Sequence, residues 1–170
     1  MTVVFISDTH FGHERILDFC RGTRLGSSIG EHDELLVETW NRVVSPGTTV
    51  YHLGDFAWRG GLSVFGRLNG KKHLVAGNHD YHDTRKLPWE SVQYALRLKI
   101  AGVMLYASHY PVVGCRENVS LHGHAHGKET GILRAIDVGA DVYREMLPLD
   151  VLLGIMKARG WDERYGRSRS

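Results

Sequence analysis

Five short motifs carry side chains that can bind metal ions or move protons. In chain order they are Asp8-Thr9-His10, Gly54-Asp55, Gly77-Asn78-His79-Asp80, Ser108-His109 and Gly123-His124-Ala125-His126. Together they offer carboxylate, imidazole and amide oxygen ligands but no thiolate, which favours manganese, iron, zinc, cobalt or nickel over copper or an iron–sulfur cluster. Seven candidate ligands are too many for one tetrahedral zinc ion: Asp8, His10, Asp55, Asn78, His109, His124 and His126. The set predicts two divalent metal ions about 3.5–4 Å apart that share the carboxylate of Asp55. Manganese is the favoured metal for both.

The first three motifs each follow a predicted strand. The apolar runs at 3–6, 48–53 and 72–76 have the length and β-branched content of buried strands. Segments with helical periodicity at 31–44 and 62–68 separate them, and the Gly/Ser-rich segment 22–30 is predicted to be a loop. This pattern is typical of a parallel βαβ sheet whose ligands lie at the carboxyl ends of the strands.

The second half of the chain predicts a different arrangement. Residues 92–100 and 103–107 are expected to form an antiparallel pair with a tight turn at Ala101-Gly102. Further strands are expected at 120–122 and 133–138, with short helices at 14–20 and 150–158. Each later histidine motif again follows an expected strand, so all five motifs are predicted to converge on one edge.

Composition sets the remaining bounds. The 170 residues predict one domain over 1–158 and a basic polar tail over 159–170. A formal net charge of +2 gives no argument for nucleic acid as a partner, and no apolar run approaches the roughly 18 residues of a membrane span. Cys20 and Cys115 lack metal or disulfide spacing, and no signal peptide is evident. We therefore expect reduced thiols and a cytoplasmic location.

The five motifs, in this order between residues 8 and 126, resemble those of the calcineurin-like metallophosphoesterases. The resemblance implies an α/β fold, a four-layer α/β/β/α sandwich of two mixed β-sheets flanked by helices. It assigns one metal ion to Asp8, His10 and His126, and a second to Asn78, His109 and His124. Asp55 would bridge the two ions. His79 would be the catalytic histidine beside the scissile phosphate, and not a ligand.

The implied reaction is hydrolysis of a phosphate ester by a metal-bound hydroxide. Two cations neutralise the charge that develops on the phosphoryl oxygens, and an imidazolium at His79 can protonate the leaving alkoxide. Asp80 is included as catalytic because it adjoins His79. The candidates for binding substrate are Asn78, Arg59 and His13.

Trp58 departs from the pattern of the phosphoprotein phosphatases. Those enzymes carry a second aspartate three residues after the one that corresponds to Asp55, and here Trp58 holds that place. The chain also has no insertion long enough for a cap domain. We therefore expect phosphodiesters such as cyclic nucleotides as substrates, with a broad phosphomonoesterase or a nuclease as alternatives. A catalytically silent scaffold of the same fold is the alternative from another class, but all seven ligands and His79 are present. No membrane and no specific protein partner is predicted.

The remaining histidines are expected to support the site or to lie on the surface. His52 and His122 could orient a metal-binding side chain through a hydrogen bond, or could be buried residues without such a role. Surface positions are predicted for His32, His73 and His82. The aromatic rings beside the motifs, Trp58, Tyr81 and Tyr110, are interpreted as packing in preference to stacking on a base.

Overall fold

Two mixed sheets make up the β structure of the residues described by the computed structural model, which are 2–113 and 119–161. The first sheet contains β1 (Val3–Ile6), β2 (Thr49–His52), β3 (Lys71–Val75), β4 (Ser91–Gln93) and β9 (Leu147–Pro148). Its order is β4-β3-β2-β1-β9, and all neighbours are parallel except β1 and β9. The second sheet contains β5 (Ala95–Ile100), β6 (Val103–Ser108), β7 (Val119–His122) and β8 (Ala135–Asp137) in chain order. Only its β5–β6 pair is antiparallel.

Helices connect and flank the sheets. They are α1 (Ile16–Phe19), α2 (Ile29–Val43), a 3-10 helix (Arg59–Arg67), α3 (His82–Arg85), α4 (Ala140–Tyr143) and α5 (Leu149–Ala158). The predicted start of α2 at 31 is two residues late, because Ser28 caps the helix by accepting the Glu31 N–H. Glu31 in turn accepts bonds from Ser27, so this helix start carries a serine and glutamate cap. The segment predicted as a helix at 62–68 is a 3-10 helix.

Alternating side chains of β1 divide the apolar interior into two cores. Val4 and Ile6 face α2 and the 3-10 helix, where Trp40 is buried. Val3 and Phe5 face the second sheet and its β6–β8 strands. A strand that is apolar on both faces must be covered on both sides, so β1 is the centre of the sandwich. The predicted fold class, two mixed sheets flanked by helices, is confirmed.

The prediction of one strand over 92–100 is wrong. Ser91–Gln93 pairs with β3 in the first sheet, whereas Ala95–Ile100 pairs with β6 in the second. The chain passes between the sheets at Tyr94, which is 71% exposed. Alternating polarity shows that a segment is extended but does not show which sheet it joins, so the crossing was missed.

Some predictions fall outside the described residues. Cys115 and most of the predicted tail, 162–170, belong to this part of the chain, and the domain boundary at 158 stays a prediction. Within the described part, Arg159 lies over the ring of Trp161, which packs against the core between the sheets. No helix there is both long enough and apolar enough to cross a membrane.

Candidate metal centre

Backbone hydrogen bonds bring the five motifs to one edge of the sandwich. The loops after β1 and β2 lie side by side, since Asp8 N–H donates to Gly54 O (2.9 Å) and His10 N–H to Asp55 O (3.1 Å). The loops after β6 and β7 are joined in the same way by the bond from Gly123 N–H to His109 O (3.0 Å). The end of β1 also bonds to the segment after β8, through Ser7 N–H and Val138 O. The carboxyl ends of strands from both sheets therefore face one another.

Strained backbone is concentrated at these loops. Eight non-glycine residues in the described part of the chain have a positive φ, and five of them are candidate ligands: Asp8, His10, Asp55, His124 and His126. The left-handed region costs an L-residue about 1 kcal/mol or more, and such residues cluster at functional sites. The sharp turns aim each side chain back across the strand ends.

Asp8, His10 and His126 form the first ligand group. Their ligand atoms lie within 4.8 Å of one another, with 3.9 Å between His126 Nε2 and Asp8 Oδ1. His10 Nε2 is buried and has no hydrogen-bond partner among the described atoms. Burial, together with the positive charge of Arg24, lowers the pKa of His10 to about 2, so its ring is neutral. A buried imidazole nitrogen that lacks a hydrogen-bond partner among the described atoms and lies 3.7 Å from Asp55 Oδ2 fits a metal ion.

Asp55, His109 and His124 form the second ligand group. His109 Nδ1 lies 2.8 Å from Leu53 O, so this nitrogen carries the proton. The other nitrogen, Nε2, lies 2.9 Å from Asn78 Oδ1 and 3.5 Å from Asp55 Oδ2. An imidazole nitrogen, an amide oxygen and a carboxylate oxygen that converge at these distances are ligand types that divalent cations bind. The donor set again fits a metal ion.

Asp55 lies between the two groups. Its Oδ2 is 3.7 Å from His10 Nε2 and 3.5 Å from His109 Nε2, so one oxygen is within reach of both sites. Its Oδ1 accepts the His79 backbone N–H at 2.8 Å. Asp55 is 1% exposed, and Asp8 nearby is fully buried, where burial raises its pKa to about 6. Two buried carboxylates this close to four imidazoles form a site built for positive charge.

Asp141 supports His126 from behind, and the sequence interpretation missed it. Its Oδ2 is 2.7 Å from His126 Nδ1, which leaves Nε2 for a metal ion. Arg24 binds the same carboxylate through Nε and Nη2 and also donates to the carbonyl of Asp8. Arg24 lies in the segment predicted only as a loop. Asp141 follows β8 closely, as the recognised ligands follow their strands, and that position was the signal available.

Cys20 makes a third possible cluster with His126 and Asp141. Its sulfur is 3.6 Å from His126 Nδ1, the nitrogen that Asp141 already binds. Burial, with the nearby Asp141 carboxylate, raises the pKa of the thiol to about 11. His126 Nδ1 and both oxygens of Asp141 are already engaged with each other and with Arg24, so this cluster supports His126 and is not treated as a third metal site.

Asp80 binds backbone groups of the neighbouring turn. Its Oδ2 accepts the N–H groups of Asp55 and Gly77, and its Oδ1 accepts that of Phe56, all at 2.8–2.9 Å. These bonds fix the turn that carries Asp55 against the turn that carries His79. Burial raises the pKa of Asp80, against the lowering effect of those three N–H groups. The geometry gives Asp80 a positioning role.

His79 lies in an open cleft of about 460 Å³ beside the first ligand group. Its ring contacts those of His10 (5.7 Å between centroids) and Trp58 (5.5 Å). His13, a predicted substrate residue, also lines the cleft. Arg59, another predicted substrate residue, is exposed at the start of the 3-10 helix and does not line it. The cations that do line it are Arg21 and Lys128, which the sequence interpretation missed.

The outlying histidines divide into three kinds. His52 is buried and supports the ligand loops, with Nε2 3.0 Å from Thr9 Oγ1 and Nδ1 accepting the Gly54 N–H. His122 is buried next to the His124 loop, where its Nδ1 donates to Gly123 O. The surface prediction for His32 is wrong, because this residue faces inward in the first turn of α2 and is 1% exposed. His73 is half-buried and bonded to Ser91, whereas His82 is exposed as predicted.

The chain matches a known family. A model of the calcineurin-like phosphoesterases matches residues 1–154, and the chain belongs to that family. Its members are metal-dependent phosphoesterases. The gene 66 protein of Mycobacterium phage L5 is 28% identical over 89% of this chain and 92% of its own length.

Solved structures show the same fold. A protein of unknown function from Aquifex aeolicus is 23% identical, with a TM-score of 0.76 over 91% of this chain and 98% of that one. The nuclease MPE of Pseudomonas putida is 20% identical, with a TM-score of 0.50 over 73% of this chain and 61% of its own.

Proposed function

We propose that this protein is a hydrolase of phosphodiesters that works with two divalent metal ions. The observation that carries the proposal is the position of Asp55, because its Oδ2 lies within 3.7 Å of an imidazole nitrogen from each ligand group. One metal ion would be held by Asp8, His10 and His126, and the other by Asn78, His109 and His124. Asp55 would be a ligand of both ions.

Bound there, the ions would supply positive charge to the phosphoryl oxygens. They would also lower the pKa of a water molecule, so that hydroxide is available at neutral pH. The carboxylate and amide oxygens among the ligands favour manganese, and the imidazoles leave iron, zinc, cobalt or nickel as alternatives. The protein's own part is to hold seven ligands in a fixed arrangement. Asp80 and His52 do this by fixing the turns, and Asp141 does it by orienting His126.

His79 is the proposed proton donor to the leaving alkoxide. Its ring lies in the cleft next to His10, and its backbone N–H is fixed by Asp55 Oδ1. Its Nδ1 is buried without a hydrogen-bond partner among the described atoms. Trp58 occupies the place of the second aspartate of the phosphatases, and its ring contacts His79. A ring contact in place of a carboxylate separates this site from a protein phosphatase centre.

The cleft favours a diester over a phosphate monoester. It is open and lined by the exposed cations Arg21 and Lys128, so a chain or ring on either side of the phosphate can be accommodated. The fold shared with a nuclease is consistent with such a substrate. His13 is the residue of the predicted substrate set best placed to contact it.

Metal analysis followed by a substrate screen tests the proposal. The purified protein should bind two equivalents of manganese and hydrolyse diesters with a higher kcat/KM than monoesters. Preference for monoesters would contradict the diester assignment. Absence of hydrolysis with every ester and metal would favour the scaffold alternative.

A further inference from the structure

Three aromatic rings form one continuous wall of the cleft. The rings of Trp58 and His13 are stacked, with 4.7 Å between centroids and 18° between planes. The ring of Phe19 follows at 6.2 Å from His13. Trp58 is 37% exposed and Phe19 is 62% exposed, although both line a concave surface. Arg15 lies over the Phe19 ring at 4.7 Å, and the remaining exposed ring surface lines the cleft, where a ligand can reach it.

The aromatic wall begins at the reaction centre. Trp58 contacts the ring of His79 at 5.5 Å, and His13 contacts the ring of His10 at 5.4 Å. A group attached to a phosphate held beside His10 and His79 would therefore lie along the wall. That group would be the substituent directly attached to the phosphate, and not a more distant part of a polymer.

Polar groups in the same cleft complement an anionic, planar ligand. Lys128 and Arg21 line it, and Arg21 also pairs with Asp18 on the exposed surface. His13 Nδ1 is buried and has no hydrogen-bond partner among the described atoms, so it can bond to a ligand edge. Aromatic faces with nearby cations are how proteins bind nucleotides without reading their sequence.

We propose that this cleft is a nucleobase subsite and that the substrate is a nucleoside phosphodiester. The base would lie against the aromatic wall of Trp58, His13 and Phe19, next to the scissile phosphate. The inference rests on the proposed function, and it specifies the substrate class of that same site. Because every base has a flat apolar face, the subsite would accept different bases with similar efficiency.

Matched diesters with and without a base test the subsite. A thymidine dinucleotide is compared with analogues in which one nucleoside is replaced by an abasic tetrahydrofuran, with manganese present. The wild-type protein should prefer the complete dinucleotide over at least one analogue by roughly tenfold or more in kcat/KM, as loss of one stacked base predicts. Equal efficiency on all of them would overturn the nucleobase proposal while leaving the phosphodiesterase intact.

Two wall substitutions locate the effect. Phe19→Ala should lower kcat/KM on the complete dinucleotide roughly tenfold, mainly through KM, and change it less than threefold on the preferred abasic analogue. Trp58→Ala should lower kcat/KM more on the complete dinucleotide than on that analogue, where the loss of its contact with His79 alone is felt. Trp58→Phe should retain most of the activity, because it keeps a ring. Tyr94→Ala, which removes an exposed ring outside the cleft, is the control and should change neither. Equal losses on both substrates would mean that the rings only position His79.

Binding separates failure of the subsite from failure of the catalytic proposal. Calorimetry with the His79→Ala protein and manganese should show tighter binding of the dinucleotide than of the abasic analogue. If no diester is hydrolysed yet this preference holds, the catalytic proposal fails and the subsite stands. If the preference is absent, the subsite is disproved.

Discussion

Individual side chains in this site have separable tasks, and His79 is the clearest example. It lies in the cleft but belongs to neither ligand group. His79→Ala should therefore keep its bound metal and lose roughly 10²–10⁴-fold in kcat, the range for loss of a general acid. Metal content and steady-state kinetics measure the two effects. His82→Ala, which removes an exposed histidine three residues away, should change neither. Full turnover in the His79 variant would refute the general-acid role.

Asp141 contacts His126, and we expect it to position this proposed ligand and so to affect the affinity for metal. Asp141→Asn keeps the size of the side chain but weakens its bonds to His126 Nδ1 and to Arg24. Loss of such a supporting partner typically costs 10–100-fold in affinity for the metal. Titration calorimetry with manganese should show this decrease at one of two sites. Asp150→Asn, at an exposed position in the first turn of α5, is the matched control. Unchanged affinity at both sites would show that His126 needs no support.

At the scale of elements, the turns after the strands carry the strain and the close contacts. Gly54 has a φ of +94°, and a Cβ at this position would lie 2.7 Å from the Gly77 backbone nitrogen. The turn after β2 and the turn after β3 therefore touch through their backbones. This contact places Asp55 beside Asn78 and His79, and no side chain fits between.

Gly54→Ala should destabilise the fold and disturb the site together. The left-handed conformation alone costs about 1–3 kcal/mol, and the clash with Gly77 adds to it. Thermal unfolding should show a lower Tm, and manganese binding should weaken. Gly154→Ala in α5 meets nothing within 4 Å and should stabilise the protein by about 0.5–1 kcal/mol. A Gly54→Ala protein with unchanged Tm would contradict the close approach of the two turns.

At the scale of the whole molecule, the candidate metal centre draws its residues from both sheets. Asp8, His10 and Asp55 follow strands of the first sheet, whereas His109 and His126 follow strands of the second. A ligand that binds only the folded state stabilises it by mass action, by about 2.7 kcal/mol at a concentration of 100 Kd.

Manganese should therefore raise the Tm, and a chelator should lower it. For a protein of this size, about 2.7 kcal/mol corresponds to roughly 5–10 °C. Differential scanning calorimetry measures the shift at increasing metal concentrations. Asp55→Asn should lose most of it, because the proposed shared ligand is weakened, whereas the exposed Asp83→Asn should keep it. A Tm that does not respond to metal would contradict a centre that links the sheets.

The sequence by itself determined the fold class and the identity of the candidate ligands. Apolar strands alternate with helical segments, and a polar motif follows each strand. Parallel strands end on the same edge, so such motifs converge whatever the details of packing. The Asp55 and His109 motifs could be recognised for this reason. The serine and glutamate at the start of α2 were equally local, and could have given the correct helix start.

Tertiary structure alone decided which side chains support the ligands and which line the cleft. Asp141 reaches His126 across fifteen residues, and Arg24 reaches Asp141 across 117. The burial of His32 and the crossing of the chain from one sheet to the other at Tyr94 depend in the same way on which elements pack against these segments. Local periodicity shows that a segment is helical or extended, but it does not show which other element the segment packs against. Two elements pack together when each buries the apolar surface of the other, and this pairing is defined only in the folded chain.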